Sequence, residues 1–378
     1  MADILHAPVR VPEQPRATEA TPETGRDPYF DNAKFLAIVL VVLGHLWADY
    51  YTHDVYTRAL YMLLYTFHMP VFIFMTGYFS RGYARSADKA RNLVGQVAVP
   101  FVIFNVLYRI QLHLGGVPPH KLLNAGFVLH TLAKIRIGEW FQPWFLMWFL
   151  LALLGWRLSA PLWVQLRRPV TVAVAVALIA GASPMVTDST ISRMMGLLPF
   201  FVLGLTVRPE HLTMLRRRSA RWIGAAVLAL GLGAAYWASA NVNKKIHGFH
   251  IWATWLKFEN GYDHLAVSNS MGMLGRFAVL ALGLVMGAAF LAMIPRRRTR
   301  FTALGGATMY VFLLHGLILK TIEYQGLMNV SWLQSPAGIV GVSVLAIVAA
   351  VLLASTPVRR ATKWIVEPNV SWLLSRKP

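Results

Sequence analysis

Lys34 and His45 stand eleven residues apart in "KFLAIVLVVLGHLW", with nothing charged between them. On an α-helix that spacing turns through about 1100°, leaving the two side chains about 20° apart and about 16 Å along the axis. A cation at the inner end of an apolar rod addresses a cytosolic anion. An imidazole about halfway through a hydrocarbon core of roughly 30 Å titrates near neutrality and can take a proton from an attacking hydroxyl. Asp49, four residues further on, shares the His45 face and is placed to orient the ring. The plainer readings are an interfacial anchor for Lys34, a hydrogen-bonded core residue for His45 and an exposed helix-end residue for Asp49.

Two further imidazoles have the same character. His68 in "YTFHMPVFIFMTGYF" and His315 in "MYVFLLHGLI" lie about eleven and twelve residues from the inner ends of their apolar segments, so all three reach similar depth. Asn105 and Arg109, in "FNVLYR", add polar groups to a third segment. Polar side chains need partners in hydrocarbon, so these residues are expected to share a polar chamber rather than face lipid. A metal is not expected: the chain has no cysteine, and no His-x-His or His-x-x-x-His pair supports one.

The elements that must hold these groups are helices in a membrane. Of 378 residues 56% are hydrophobic and 14% charged, while soluble domains carry roughly 25% charged residues. Ten apolar segments are expected to span, at 35–51, 58–79, 93–114, 143–162, 170–186, 192–207, 221–240, 272–294, 303–322 and 334–355, with an interfacial stretch at 121–131. The formal charge of +20 follows the same layout. With the N-terminus inside, 25 of the 36 basic residues fall in cytoplasmic segments, six in outer loops and five within or at the outer ends of helices. That is the positive-inside pattern, so the charge does not imply nucleic acid. The expected fold is an all-α polytopic membrane protein of about ten transmembrane helices with both termini cytoplasmic. Residues 1–30, rich in Pro, Glu, Thr and Arg and without a signal peptide, are expected to be a disordered tail; 31–366 form the membrane domain and 367–378 a second tail.

These stretches resemble acyltransferase family 3, bacterial integral-membrane O-acyltransferases. The likeness begins at "FDNAKFLAIVLVVLGHLW", where the family places a basic residue, ten others and a histidine. It continues through "FHMPVFIFMTGYF" (His68, Pro70, Gly77), "PWFLMWFLLALLGW" (Trp144), "RMMGLLPFFVLGL" and "ATMYVFLLHGLI" (Tyr310, His315), five stretches in the family's order over about residues 27–360. Where members carry Arg-x-x-Arg after the second helix, this chain offers Arg81 and Arg85, then Lys89 and Arg91. No appended soluble domain is expected.

The resemblance implies an acyl-CoA donor (acetyl-CoA, or a longer acyl-CoA), His45 as catalytic base and Lys34 handling the donor. A cationic surface at Arg81, Arg85, Lys89 and Arg91 would take the CoA phosphates, unless these residues only hold their loop inside. Asn105 or Arg109 is a candidate for the oxyanion, and His68 and His315 for orienting groups. The acceptor would be a hydroxyl-bearing glycan, lipid-linked sugar or small molecule. Glu139, Trp140 and Trp144, with Glu259 and Asp263, are candidate acceptor contacts, although such aromatics also form interfacial belts. A secondary transporter of an acidic or glycan-linked solute is the rival reading, and no internal repeat supports it.

Overall fold

A computed structural model describes residues 27–83, 92–183, 189–241 and 253–370. Most of the expected tails, at 1–26 and 371–378, and three of the expected donor residues, Arg85, Lys89 and Arg91, lie outside the described residues.

Among the described residues the chain is helical, without strands. Helices of eight or more residues are numbered here. They are α1 (Pro28–Trp47), α2 (Val55–Phe79), α3 (Val94–Leu114, opening on a π-turn), α4 (Ala125–Ala133), α5 (Met147–Trp163) and α6 (Pro169–Ala180). Then follow α7 (Ser189–Gly196), α8 (Leu198–Thr206), α9 (Arg218–Asn241), α10 (Asn269–Met293), α11 (Thr308–Tyr324), α12 (Pro336–Leu353) and α13 (Thr356–Val366). Most described residues of each of the ten apolar segments are helical. Seven helices are long and apolar enough to cross a membrane: α1, α2, α3, α9, α10, α11 with its preceding turn, and α12. The helices 190–206 and 209–215 form a pair bent by 104°, a broken span or a re-entrant loop, and α5 and α6 are shorter apolar helices.

Local chemistry sets the ends. Asp27 accepts from the Tyr29 N–H at 3.0 Å and Pro28 opens α1, a favourable N-cap and first-turn pair. This start lies seven residues earlier than the apolar pattern indicates, and α1 ends at Trp47 rather than 51. His45 therefore sits near one end of α1, not halfway along it. Asp54 caps α2 in the same way, accepting from the Thr57 N–H at 2.7 Å.

α1 is the most deeply buried of the long helices. Fourteen of its 20 residues are buried, against three of 24 in α9. α9, α10 and α12 instead expose large apolar side chains such as Trp222, Leu230, Leu274, Phe277 and Leu345. A surface of that kind belongs in lipid. The N-terminal end of α1 is pinned by Asn32, which has no exposed surface. Its amide donates to Pro295 O (2.9 Å) and Arg297 O (3.0 Å), and its oxygen accepts from Thr299 and Thr302 (3.0 and 2.6 Å). One buried amide with four partners thus fixes where Lys34, half a turn on, must point.

Candidate active site

A chamber of about 420 Å³ lies between α1, α2, α5, α7, α11 and the segments 143–146 and 256–259. His45 and His68 both line it. The His45 ring has edge contact with Phe145 (4.9 Å between centroids) and lies 5.7 Å from the His315 ring, with no hydrogen bond to it among the described residues. The His68 Nδ1–H donates to Leu64 O at 2.8 Å, and that of His315 to Val311 O at 2.8 Å. A carbonyl only accepts, so in the neutral rings both are fixed as the tautomer whose Nε2 carries a lone pair. Among the described residues His45 has no such tether, so no hydrogen bond sets its tautomer.

The other expected chamber residues are placed differently. His315 touches His45 but lines an apolar groove between α1, α11 and α12, with its Nε2 buried and unpartnered. Asn105 donates to Trp140 O (2.6 Å) and accepts from the Trp144 N–H (3.0 Å), and Arg109 donates to Gln142 O (3.0 Å) beneath the Trp144 ring. Neither side chain lines the chamber. They hold the 140–144 loop in place, because a loop packed against a helix needs partners for its backbone groups. That loop in turn delivers Phe145, whose φ of +54° is uncommon for an aromatic residue, against His45. Asp49 lies in the turn beyond α1 and does not bond His45; its charged neighbours are Lys320 and Glu323.

Of the acceptor candidates, Trp144 and Glu259 line the chamber. Glu259 is ion-paired with Arg193, whose guanidinium lies over the Trp148 ring. Glu139, Trp140 and Asp263 are outside the chamber lining, Glu139 and Trp140 being half-buried and Asp263 exposed.

A second cavity, of about 310 Å³, holds Lys34 and Arg157 with Thr76, Thr308, Phe149 and Phe312 in its wall. Lys34 pairs with Asp31 at 2.6 Å and Arg157 donates to Ser80 Oγ at 3.2 Å. Arg81 turns away: it donates to Gly204 O and Val207 O at the end of α8, lies 4.2 Å from the Tyr78 ring centroid and is not in the cavity wall.

Arg157, Arg193, Lys257, Lys320, Tyr65 and Trp148 belong to these two walls and were not singled out from the sequence. The signal was a helical stripe. Phe149, Leu153 and Arg157 recur every four residues on α5 and line the Lys34 cavity together. On α2, Tyr61, Tyr65 and His68 line the chamber while Phe72, Thr76 and Phe79 line the cavity, so one helix face serves both.

The arrangement offers a cationic cavity, an aromatic layer and a chamber with one untethered imidazole. Among known proteins, the chain is 26% identical over 255 residues to nodulation protein NolL of Sinorhizobium fredii (strain NBRC 101917 / NGR234), covering 61% of this chain and 64% of that relative. It thus spans less than two thirds of the relative's length. No solved structure matches it. The family model described as "Acyltransferase domain" matches residues 27–355, from the N-cap of α1 to the end of α12. The chain, a multi-pass membrane protein, belongs to acyltransferase family 3.

Proposed function

We propose that this protein is a membrane O-acyltransferase that moves an acyl group, acetyl foremost, from cytosolic acyl-CoA to a hydroxyl of an extracytoplasmic glycan or other envelope or small-molecule acceptor. In this reading it sits in a bacterial cytoplasmic membrane with the basic clusters inside. α5, α6 and the bent 190–215 pair complete ten crossings, and both termini are cytoplasmic.

The observation that carries the reading is that Lys34 and His45 open into consecutive cavities along α1, with Phe149 and Phe312 in both walls. CoA phosphates bind at Lys34 and Arg157, and the thioester reaches His45. The imidazole takes the acceptor hydroxyl proton, the oxygen attacks the thioester carbonyl carbon, and the carbon–sulfur bond breaks. The CoA thiolate leaves and receives the proton from the imidazolium. His68 Nε2, held as an acceptor, orients the hydroxyl. Trp144, Trp148 and Tyr65, with the Arg193–Glu259 pair, face the acceptor, a mix of aromatic planes and fixed charges suited to a sugar ring. His45→Ala in purified protein should abolish acceptor-dependent thiol release from acetyl-CoA while leaving the monodisperse folded state intact. Near-normal turnover would remove His45 from the mechanism.

A further inference from the structure

The Lys34 cavity and the His45 chamber have Phe149 and Phe312 in common. The Phe149 ring centroid lies 5.3 Å from that of Phe312 and 5.3 Å from that of Phe72, at 61° and 63°. Such edge-to-face contacts are attractive, and they join one ring from each of α2, α5 and α11 into a layer. Phe149 and Phe312 are 3% and 4% exposed and Phe72 is half-buried, so little of the layer meets solvent. On one side stand Lys34, Arg157, Thr76 and Thr308, and on the other His45, His68, Arg193 and Glu259.

Two polar walls that approach each other inside a membrane pose a physical problem. A continuous polar path would carry water and ions from face to face, whereas a solid core would stop any substrate. Rings held only by edge contacts resolve it, since they can part without stranding a hydrogen-bonding group. We infer that Phe72, Phe149 and Phe312 are the partition between the two halves of the site, positioning residues that exclude water and small ions at rest and sleeve the thioester arm of the donor when it passes. The sleeve rests on the acyl-transfer reading; the seal does not. With a ring removed, water reaches the thioester: its oxygen bonds to the acyl carbon, the carbon–sulfur bond breaks, and carboxylate, CoA thiol and a proton are released.

The absence of native cysteines makes the seal directly measurable. Met69 lines the chamber and Met309 the Lys34 cavity. The full chain carrying Met69→Cys or Met309→Cys is sealed into lipid vesicles and exposed, from each side in turn, to a permanently charged methanethiosulfonate. With the rings intact each cysteine should react from one side only, and the two from opposite sides. Adding Phe149→Ala or Phe312→Ala should raise the wrong-side rate at least tenfold, while Phe149→Leu, which keeps apolar bulk, should preserve sidedness and report on folding. Two-sided reaction of Met69→Cys with all three rings present, or unchanged sidedness in the double alanine variant, would overturn the partition. The labelling needs no donor, so it does not depend on the acyl-transfer reading. Thiol release from acetyl-CoA without acceptor should also rise at least tenfold in the alanine variants. No rise, with sidedness lost, would keep the seal and overturn the donor's passage through it.

Discussion

His68 gives its Nδ1 proton to the Leu64 carbonyl 2.8 Å away, and one turn-length bond thereby settles which nitrogen is left to act. His45, on the facing helix, has no comparable tether. In the proposed division of roles His45 carries the proton transfer and His68, its free nitrogen fixed by the Leu64 bond, holds the hydroxyl. His45→Ala is expected to lower acyl transfer by about 10²- to 10⁴-fold, the usual span for a general base. His68→Ala should cost about 10- to 100-fold, on the scale of one hydrogen bond left unmade. Steady-state thiol release with acceptor present measures both, and equal losses at the two positions would reject the division of roles.

The wall that carries His68 depends on two glycines. A Cβ on Gly77 would fall 2.0 Å from Phe201 O, and one on Gly204 2.0 Å from Phe74 O, so α2 and α8 meet backbone to backbone at a reciprocal contact. Alanine at either position must drive the helices apart against main chain, which does not yield as a side-chain tip does. The expected destabilisation is at or above the upper end of the about 1–3 kcal/mol typical of overpacking. Thermal unfolding in detergent should show it as a lowered Tm in Gly77→Ala and Gly204→Ala. Gly138→Ala, with nothing within 4 Å of its added carbon, serves as the neutral control.

Lys34 and Arg157 share one cavity, so their loss should weaken donor binding rather than slow chemistry. Arg157→Gln is expected to raise KM for acetyl-CoA by about tenfold or more, the scale of one charge-assisted hydrogen bond, with kcat within about twofold. Arg157→Lys should recover part of the loss because the charge returns without the planar fork. A fall in kcat at unchanged KM would show instead that Arg157 acts on the reacting groups.

Much of this was legible in one dimension. Helix in the apolar segments follows from hydropathy, whereas helical spacing put Lys34 and His45 on one lumen and the structure places them in two neighbouring cavities. Asn105 and Arg109 were legible as buried polar residues but not as loop tethers, because their partners are backbone groups of residues 140–144, which no side-chain pattern encodes. Arg157 was counted among the cytoplasmic basic residues although the expected segment 143–162 contains it; its place four residues after Leu153 on α5 puts it in the cavity wall. The pairing of Arg193 with Glu259 joins residues 66 positions apart, beyond any periodicity.

Asn105 provides a test of the tether. Removing its side chain deletes one donor to Trp140 O and one acceptor for the Trp144 N–H, each bond worth about 0.5–1.5 kcal/mol net. Asn105→Ala should therefore raise hydrogen exchange across 140–145 while leaving the remaining helices protected, with kcat falling because Phe145 no longer holds its place beside His45. Lost activity with unchanged exchange in that loop would instead support a direct part for Asn105 in stabilising the oxyanion.

Asp49 yields a prediction in pH. It lies just past α1, where burial first, and then repulsion from Glu323, push its carboxyl up from 3.8 to about 6, against the pull of Lys320. The folded chain thus holds this proton more tightly than the unfolded one. The stability it contributes is fully present below about pH 4 and is lost as pH rises through about 6. Asp49→Asn, neutral throughout, should match the wild type in Tm near pH 4 and exceed it at pH 7.5. Lys320 already has a carboxylate partner, Glu323 at 2.5 Å, so removing the Asp49 charge leaves no cation stranded. If Asp49 instead orients a catalytic imidazole or completes an ion pair with Lys320, the asparagine variant will be less stable at pH 7.5, and the sign of the Tm difference decides between these roles.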